Sequence, residues 1–184
     1  MAKAAPQRQT ARDRVLDASL ALFFEHGISG TSLQMIGDRI GISKSAVLGQ
    51  FGSKDDIVIA AIGPVFEDIA RVVKIAESMT TQDARREVAA TGLVELIVRH
   101  RQRAFLYYDR AIEGAVRLNP EFTKSYYELA AILTGPENDA TTRVMVAVLM
   151  GGLFCGVADP SLDNIPEDEL HQTVLANAKR QLQL

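Results

Sequence analysis

Residues 31–54 read TSLQMIGDRIGISKSAVLGQFGSK and constrain the fold more than any other stretch. Thr31, the triplet Gly41–Ile42–Ser43 and the pair Gly52–Ser53 cut it into short helix-length pieces. Glycine accepts the left-handed backbone that ends a helix, and Ser or Thr caps the start of the next. The spacing Gly37-x3-Gly41-x5-Val47 is that of two helices joined by a tight turn, which presents the second helix to the DNA major groove.

Charge distribution agrees with a nucleic-acid partner although the total does not. The net charge is −3, yet residues 1–54 carry seven Lys/Arg against four Asp/Glu and residues 55–184 carry 13 against 19. A basic head on an acidic body suits a protein that turns one end toward phosphate. Apolar residues make up 47% of the 184, enough for a sizeable core, and no alternating Val/Ile/Thr-rich stretch argues for strands. The chain therefore reads as all-α, with a DNA-binding segment at 1–54 and a helical body at 55–184.

Helix signals recur along the chain. Thr10 and Asp13 have capping-box spacing, and Val15, Leu16, Ala18, Ser19, Leu22 and Phe23 follow as one stripe until Gly27. Thr31 and Gln34 form a second box ahead of Leu33, Ile36 and Ile40, and Ser43 caps a third helix with Val47 and Phe51 inward. Ser53 and Asp56 open a fourth helix to about Glu77, in which Gly63–Pro64 predicts a kink or break. Further helices are expected at Ala84–His100, about Gln102–Arg117, Asn119–Gly135, Glu137–Val157 and Glu167–Leu182, about nine in all.

On residues 14–57 the chain resembles the tetracycline repressor (TetR) family of bacterial regulators. The pattern comprises Leu22–Phe23 and Gly27, then Thr31–Ser32–Leu33, the turn Gly41–Ile42–Ser43, and Phe51-x-Ser53-Lys54-Asp55. The resemblance covers about a quarter of the chain. It implies a three-helix DNA-binding head, a helical body that binds an effector and dimerises, and regulation of transcription, most often repression. The chain departs from the pattern in three places. Gly37 stands where the family usually has Ala, Leu48 where it has Tyr, and Gln50 where it has His. The Tyr and His commonly bond phosphate in relatives; Leu48 cannot, and Gln50 can do so without charge.

The recognition helix is expected at Ser43–Gln50. Lys44 suits guanine O6/N7 or a phosphate, Ser45 a base edge or phosphate, Ala46 a thymine methyl, and Gln50 adenine or a phosphate oxygen. The small residues Ser45, Ala46 and Gly49 would let the backbone sit close to the groove floor. Thr31 and Ser32 lie at a helix N-terminus, where free N–H groups favour anions and where relatives clamp phosphate. Lys54 opposes the dipole of the fourth helix, a cost that phosphate contact would offset. Arg8, Arg12 and Lys3 are either further DNA contacts or solvated tail charges.

A helix-turn-helix reads a half-site, so a homodimer on a palindromic double-stranded operator is expected. Val144, Val148, Gly151, Gly152 and Cys155 on one long helix, with Leu170, Val174, Leu175, Ala178 and Leu182 on the last, are the candidate interface; the resemblance implies a four-helix bundle there. Phe66, His100, Phe105, Tyr108, Phe122, Tyr126 and Tyr127 are the candidate ligand-binding residues, suited to a small, largely apolar effector. For each ring, ordinary bundle core or surface is an equal reading.

Other classes find little support. His26, His100 and His171 have no metal-ligand spacing, there is no nucleophile elbow or phosphate-binding loop, and the single Cys155 excludes a disulfide framework. No enzyme, metal or cofactor is expected. The N-terminus lacks a signal-peptide core, and the run Val144–Ala158 is 15 residues long where a membrane span needs roughly 18 or more, so the expected setting is cytoplasmic with no membrane partner. The alternative is a helical protein-interaction adaptor that has lost specific DNA binding, motivated by Leu48 and Gln50.

Overall fold

The structure is a computed structural model that describes residues 10–117, 119–136 and 138–184; the side chains of residues 104, 105, 107, 108, 110, 111, 113 and 117 lie outside that description. Among the described residues all regular structure is helical. The elements are α1 (Ala11–Gly30), α2 (Leu33–Ile40), α3 (Lys44–Phe51), α4 (Lys54–Glu77), α5 (Gln82–Arg99), α6 (Arg110–Arg117), α7 (Pro120–Thr134), α8 (Ala140–Gly156) and α9 (Glu167–Leu182). Single 3-10 segments occupy Arg101–Tyr108 and Pro160–Leu162. None of these helices is long and apolar enough to cross a membrane.

The chain divides into two compact units between Ala61 and Ile62, within α4. The first unit is built on α1. Thr10 and Asp13 form the expected capping box, with Asp13 N donating to Thr10 Oγ1 at 3.1 Å and Thr10 N to Asp13 Oδ2 at 2.9 Å. These bonds favour the carboxylate and hold the Asp13 carboxyl below its usual range. The stripe Val15, Ala18, Ser19, Leu22 and Phe23 is buried, and Gly27 breaks the helix at φ 71, ψ 166 before one more turn. Against α1 lie α2 and α3, contributing Ile36, Val47 and Phe51 to the core.

The second unit is organised around α5, whose Ala89, Ala90, Leu93, Val94, Leu96, Ile97 and Val98 are all buried. A helix apolar on more than one face must be covered on more than one side; α7, α8 and α9 all contact it. Arg86 of α5 ties two of these together, with Nε donating to Leu133 O at 3.1 Å and Nη2 to Leu182 O at 2.8 Å. These carbonyls lie at the ends of α7 and α9, where intrahelical partners run out. Lys179 of α9 pairs with Glu87 of α5.

Several expected boundaries shift. Ser32 rather than Thr31 caps α2, its Oγ accepting from Met35 N at 3.2 Å. α4 runs unbroken through Pro64, with Ile62, Val65 and Phe66 buried beside it. The helix expected over 102–117 divides at Asp109, which is extended at φ −85, ψ 125. α8 starts at Ala140 rather than Glu137, because the Asp139 carboxylate takes Thr142 N at 2.9 Å and Asn138 has a left-handed φ of 38.

Gly92 of α5 faces Val72 of α4. A Cβ there would stand 2.6 and 2.8 Å from the two Val72 methyls, and a β-branched side chain cannot swing away within a helix. Gly92→Ala is expected to cost about 1–3 kcal/mol of stability, read as a lower urea midpoint; an equal or higher midpoint would show that the helices separate freely.

Candidate nucleic-acid interface

The candidate interface is set by the turn between α2 and α3. Gly41 is left-handed at φ 73, ψ 35, and Ile42 N donates to Gly37 O at 2.9 Å, closing the end of α2. A Cβ at Gly37 would lie 2.6 Å from Ile42 O. The turn here is thus tighter than alanine would allow without movement. Ser43 then caps α3, its Oγ accepting from Ala46 N at 3.1 Å and lying 2.8 Å from Ser45 Oγ.

Val47 and Phe51 point inward as expected. Ser43, Lys44, Ser45, Ala46 and Gly49 are exposed, while Leu48 and Gln50 are half-buried. Six of the nine DNA-binding candidates therefore share the outer surface of α3, with Gln50 at its edge. Ser32 is also exposed, at the start of α2.

Thr31 and Lys54 are placed differently. Thr31 is 2% exposed, with its hydroxyl 2.9 Å from Gly27 O and 3.1 Å from Leu22 O. It satisfies carbonyls at the break in α1 and does not face outward. Lys54 Nζ donates to Ile28 O at 3.0 Å and Thr31 O at 3.1 Å. Its position against the α4 dipole is thus explained by two backbone acceptors outside that helix.

The other head cations are similarly occupied. Arg39 forms a two-pronged pair with Glu25 at 2.8 Å on each oxygen, which holds the Glu25 carboxyl below its usual range and raises the guanidinium. Arg14 Nη2 donates to Ile40 O at 3.2 Å, and Arg12 Nη1 to Gln50 O, with its guanidinium 3.9 Å over the Phe51 ring. Among the described residues of the first unit, Lys44 alone of the Lys and Arg side chains has no protein partner. The roles of Arg12 and Arg14 are not legible in the sequence, since a carbonyl acceptor leaves no mark on residue identity. Arg8 and Lys3 lie outside the described residues.

The candidates in the body are less convergent. Phe66 and Phe122 stack face to face, centroids 4.4 Å apart and planes 9° from parallel. His100 Nε2 lies 2.7 Å from Asp68 Oδ2, and Arg71 holds the other oxygen at 2.9 Å. Tyr126 is half-buried, and its burial raises the phenol pKa. Tyr127 is 66% exposed and turns to solvent, one helix step round from Tyr126. The side chains of Phe105 and Tyr108 lie outside the described ones. On the candidate interface between copies, Val144 and Val148 are exposed by 63% and 65%, Gly151 and Gly152 are exposed, and Cys155, Val174 and Leu175 are half-buried. Leu170, Ala178 and Leu182 are buried within the chain itself, on the side of α9 that meets α5 and α8, and are not available to a partner. No group of His, Cys, Asp or Glu among the described residues could hold a metal.

Residues 15–61 match the family model of bacterial regulatory proteins, tetR family. Over that segment the chain is a TetR-type DNA-binding head. Among curated relatives, the HTH-type transcriptional repressor KstR2 of Mycobacterium tuberculosis is 27% identical over 89% of this chain and 76% of its own. The HTH-type transcriptional regulator BetI of Burkholderia thailandensis is 36% identical over 34% of this chain and 32% of its own. The fold matches that of SCO3833, a TetR-family regulator of Streptomyces coelicolor, with TM-score 0.71 and 18% identity over 97% of this chain and 92% of that one. The TetR-type head makes the protein a DNA-binding transcriptional regulator, and the relatives it resembles are regulators rather than enzymes.

Gly49 separates what α3 needs from what it offers. A Cβ there would meet nothing within 4 Å, so the chain's own packing does not require glycine. Gly49→Ala should stabilise the free regulator by about 0.5–1 kcal/mol while weakening DNA binding by crowding the outer face of α3. Thermal melts and DNA titrations of one preparation check both signs; unchanged affinity would place Gly49 away from DNA.

Proposed function

We propose that this regulator is a repressor that acts in the cytoplasm, binds a palindromic operator as a homodimer and is released by a small, largely apolar effector. Residues 1–54 carry DNA binding and residues 55–184 carry effector binding and dimerisation. The observation that supports this reading most directly is the outer face of α3, where small residues surround the unpaired Lys44. Ser32 and Gln50 add neutral phosphate or base donors at its margins. KstR2, named as a repressor, supports the direction of control.

Dimerisation rests on α8. Val144, Val148, Gly151 and Gly152 recur at helical spacing and are exposed, and neither glycine has a neighbour that would forbid a side chain. Helix-interior glycine costs about 1 kcal/mol against alanine, which close approach by a second helix would offset. Cys155 of α8 and Val174 and Leu175 of α9 are half-buried and complete the proposed interface. The stacked Phe66–Phe122 pair, the His100–Asp68 pair and Tyr126 supply apolar surface and polar tips for an effector, whose release of DNA requires tighter binding to the DNA-free state.

A gel shift on DNA upstream of the regulator's own gene, at two salt concentrations, tests the reading. A DNA reader loses affinity steeply with salt; an adaptor would not bind. Lys44→Ala should cost about 1–3 kcal/mol on the specific site and less on random DNA if Lys44 reads a base. Equal loss on both would make it a phosphate contact, and undiminished binding would remove it from the interface.

Val148→Glu should convert the dimer to a monomer in light scattering at micromolar concentration, since an unpaired carboxylate in an apolar interface is not tolerated. A monomeric wild type would overturn the dimer.

A further inference from the structure

Arg12 stands in the first turn of α1 and reaches the far end of α3, 38 residues away in sequence. The last turn of an α-helix leaves carbonyls without intrahelical donors. In α3, Leu48 O is taken by Gly52 N and Phe51 O by Ser53 N, each at 2.7 Å, and Gln50 O is taken by Arg12 Nη1. The same guanidinium lies 3.9 Å over the ring of Phe51, itself buried in the head. One planar group thus holds both a carbonyl and a core anchor of the same turn. Its charge also faces the negative end of the α3 dipole.

α3 has eight residues, about two turns, far too few to be stable alone. Its Gly49 and exposed Ser45 further weaken it. Its direction is therefore fixed by its buried anchors Val47 and Phe51 and by what grips its two ends. Ser43 and the Gly41 turn grip the first, and Arg12 grips the second.

We propose that Arg12 is a positioning residue for DNA reading: it fixes the C-terminal turn of the recognition helix through the protein, rather than by holding phosphate. This rests on the DNA-binding reading above. A lysine would keep the charge but lacks the planar fork that stacks and donates at once, so Arg12→Lys should behave like Arg12→Ala.

The test uses the full-length protein, the two variants and a short duplex enriched from a random pool by the wild type. Both variants should bind that duplex about tenfold more weakly, with an unchanged slope of log affinity against log salt. In the absence of DNA, amide exchange in Val47–Gly52 should quicken about tenfold in both, while α5 stays protected. A slope reduced by about 0.9 per protomer, with affinity retained by Arg12→Lys, would make Arg12 a phosphate contact and overturn the proposal. Unchanged affinity or unchanged exchange in α3 would overturn it too. A wild type that enriches no duplex would instead bring down the DNA reading itself, and this proposal with it.

Discussion

The direction of α3 depends on a turn in which backbone meets backbone with no room for a side chain. Gly37 O accepts Ile42 N, and the Cα of Gly37 lies so close to Ile42 O that a methyl group would intrude. Gly41 supplies the left-handed residue that reverses the chain. Hydrogen bonding and sterics act on the same few atoms, so the start of α3 is fixed before any side chain contributes. Ser43 then caps α3, and Val47 and Phe51 press it onto α1. The outer face follows as a remainder, made of the residues that neither the turn nor the core requires.

That economy extends to charge. The excess of Lys and Arg in residues 1–54 first suggests a diffuse attraction for phosphate. The structure gives most of the described cations work inside the protein. Lys54, Arg14 and Arg12 each donate to carbonyls near helix ends, and Arg39 is neutralised by Glu25. These groups still add to the long-range field, which depends on charge and not on hydrogen-bond partners. Short-range recognition is another matter, and there Lys44 stands apart. Half-buried Leu48 offers no polar atom, so the face reads as one cation among small neutral groups.

What was legible in the sequence was what is local. The Thr10 box, the Ser43 cap, Pro120 at the start of α7, Gly135 after its end and the charged ends of α9 all act within a few residues, and the structure has each of them where the sequence puts it. The long-range bonds from Arg12, Lys54 and Arg86 are not legible in this way, because their acceptors are carbonyls that every residue possesses. Lys54 is instructive. Its conflict with the α4 dipole was a real signal, but the signal said only that something offsets a cost, and backbone oxygens do so. The stripe on α9 carried a similar ambiguity. Periodicity tells that Leu170, Ala178 and Leu182 are buried, not whether by their own chain or by another.

The glycines resolve part of that ambiguity, because the structure sorts them by whether the chain itself needs them. Gly37, Gly41 and Gly92 are needed, the first and last for close approach and the second for its backbone. Gly49, Gly151 and Gly152 have open space around them and ordinary helical geometry, so their cost is unexplained within one chain. Open space alone does not mark a contact, since Gly114 has the same room. The distinction comes from company. Gly49 lies on the face that carries Lys44, and Gly151 and Gly152 continue a line of exposed valines that water solvates poorly. An unexplained backbone cost beside an unpaired cation fits the proposed DNA contact, and the same cost beside exposed apolar side chains fits the proposed second helix.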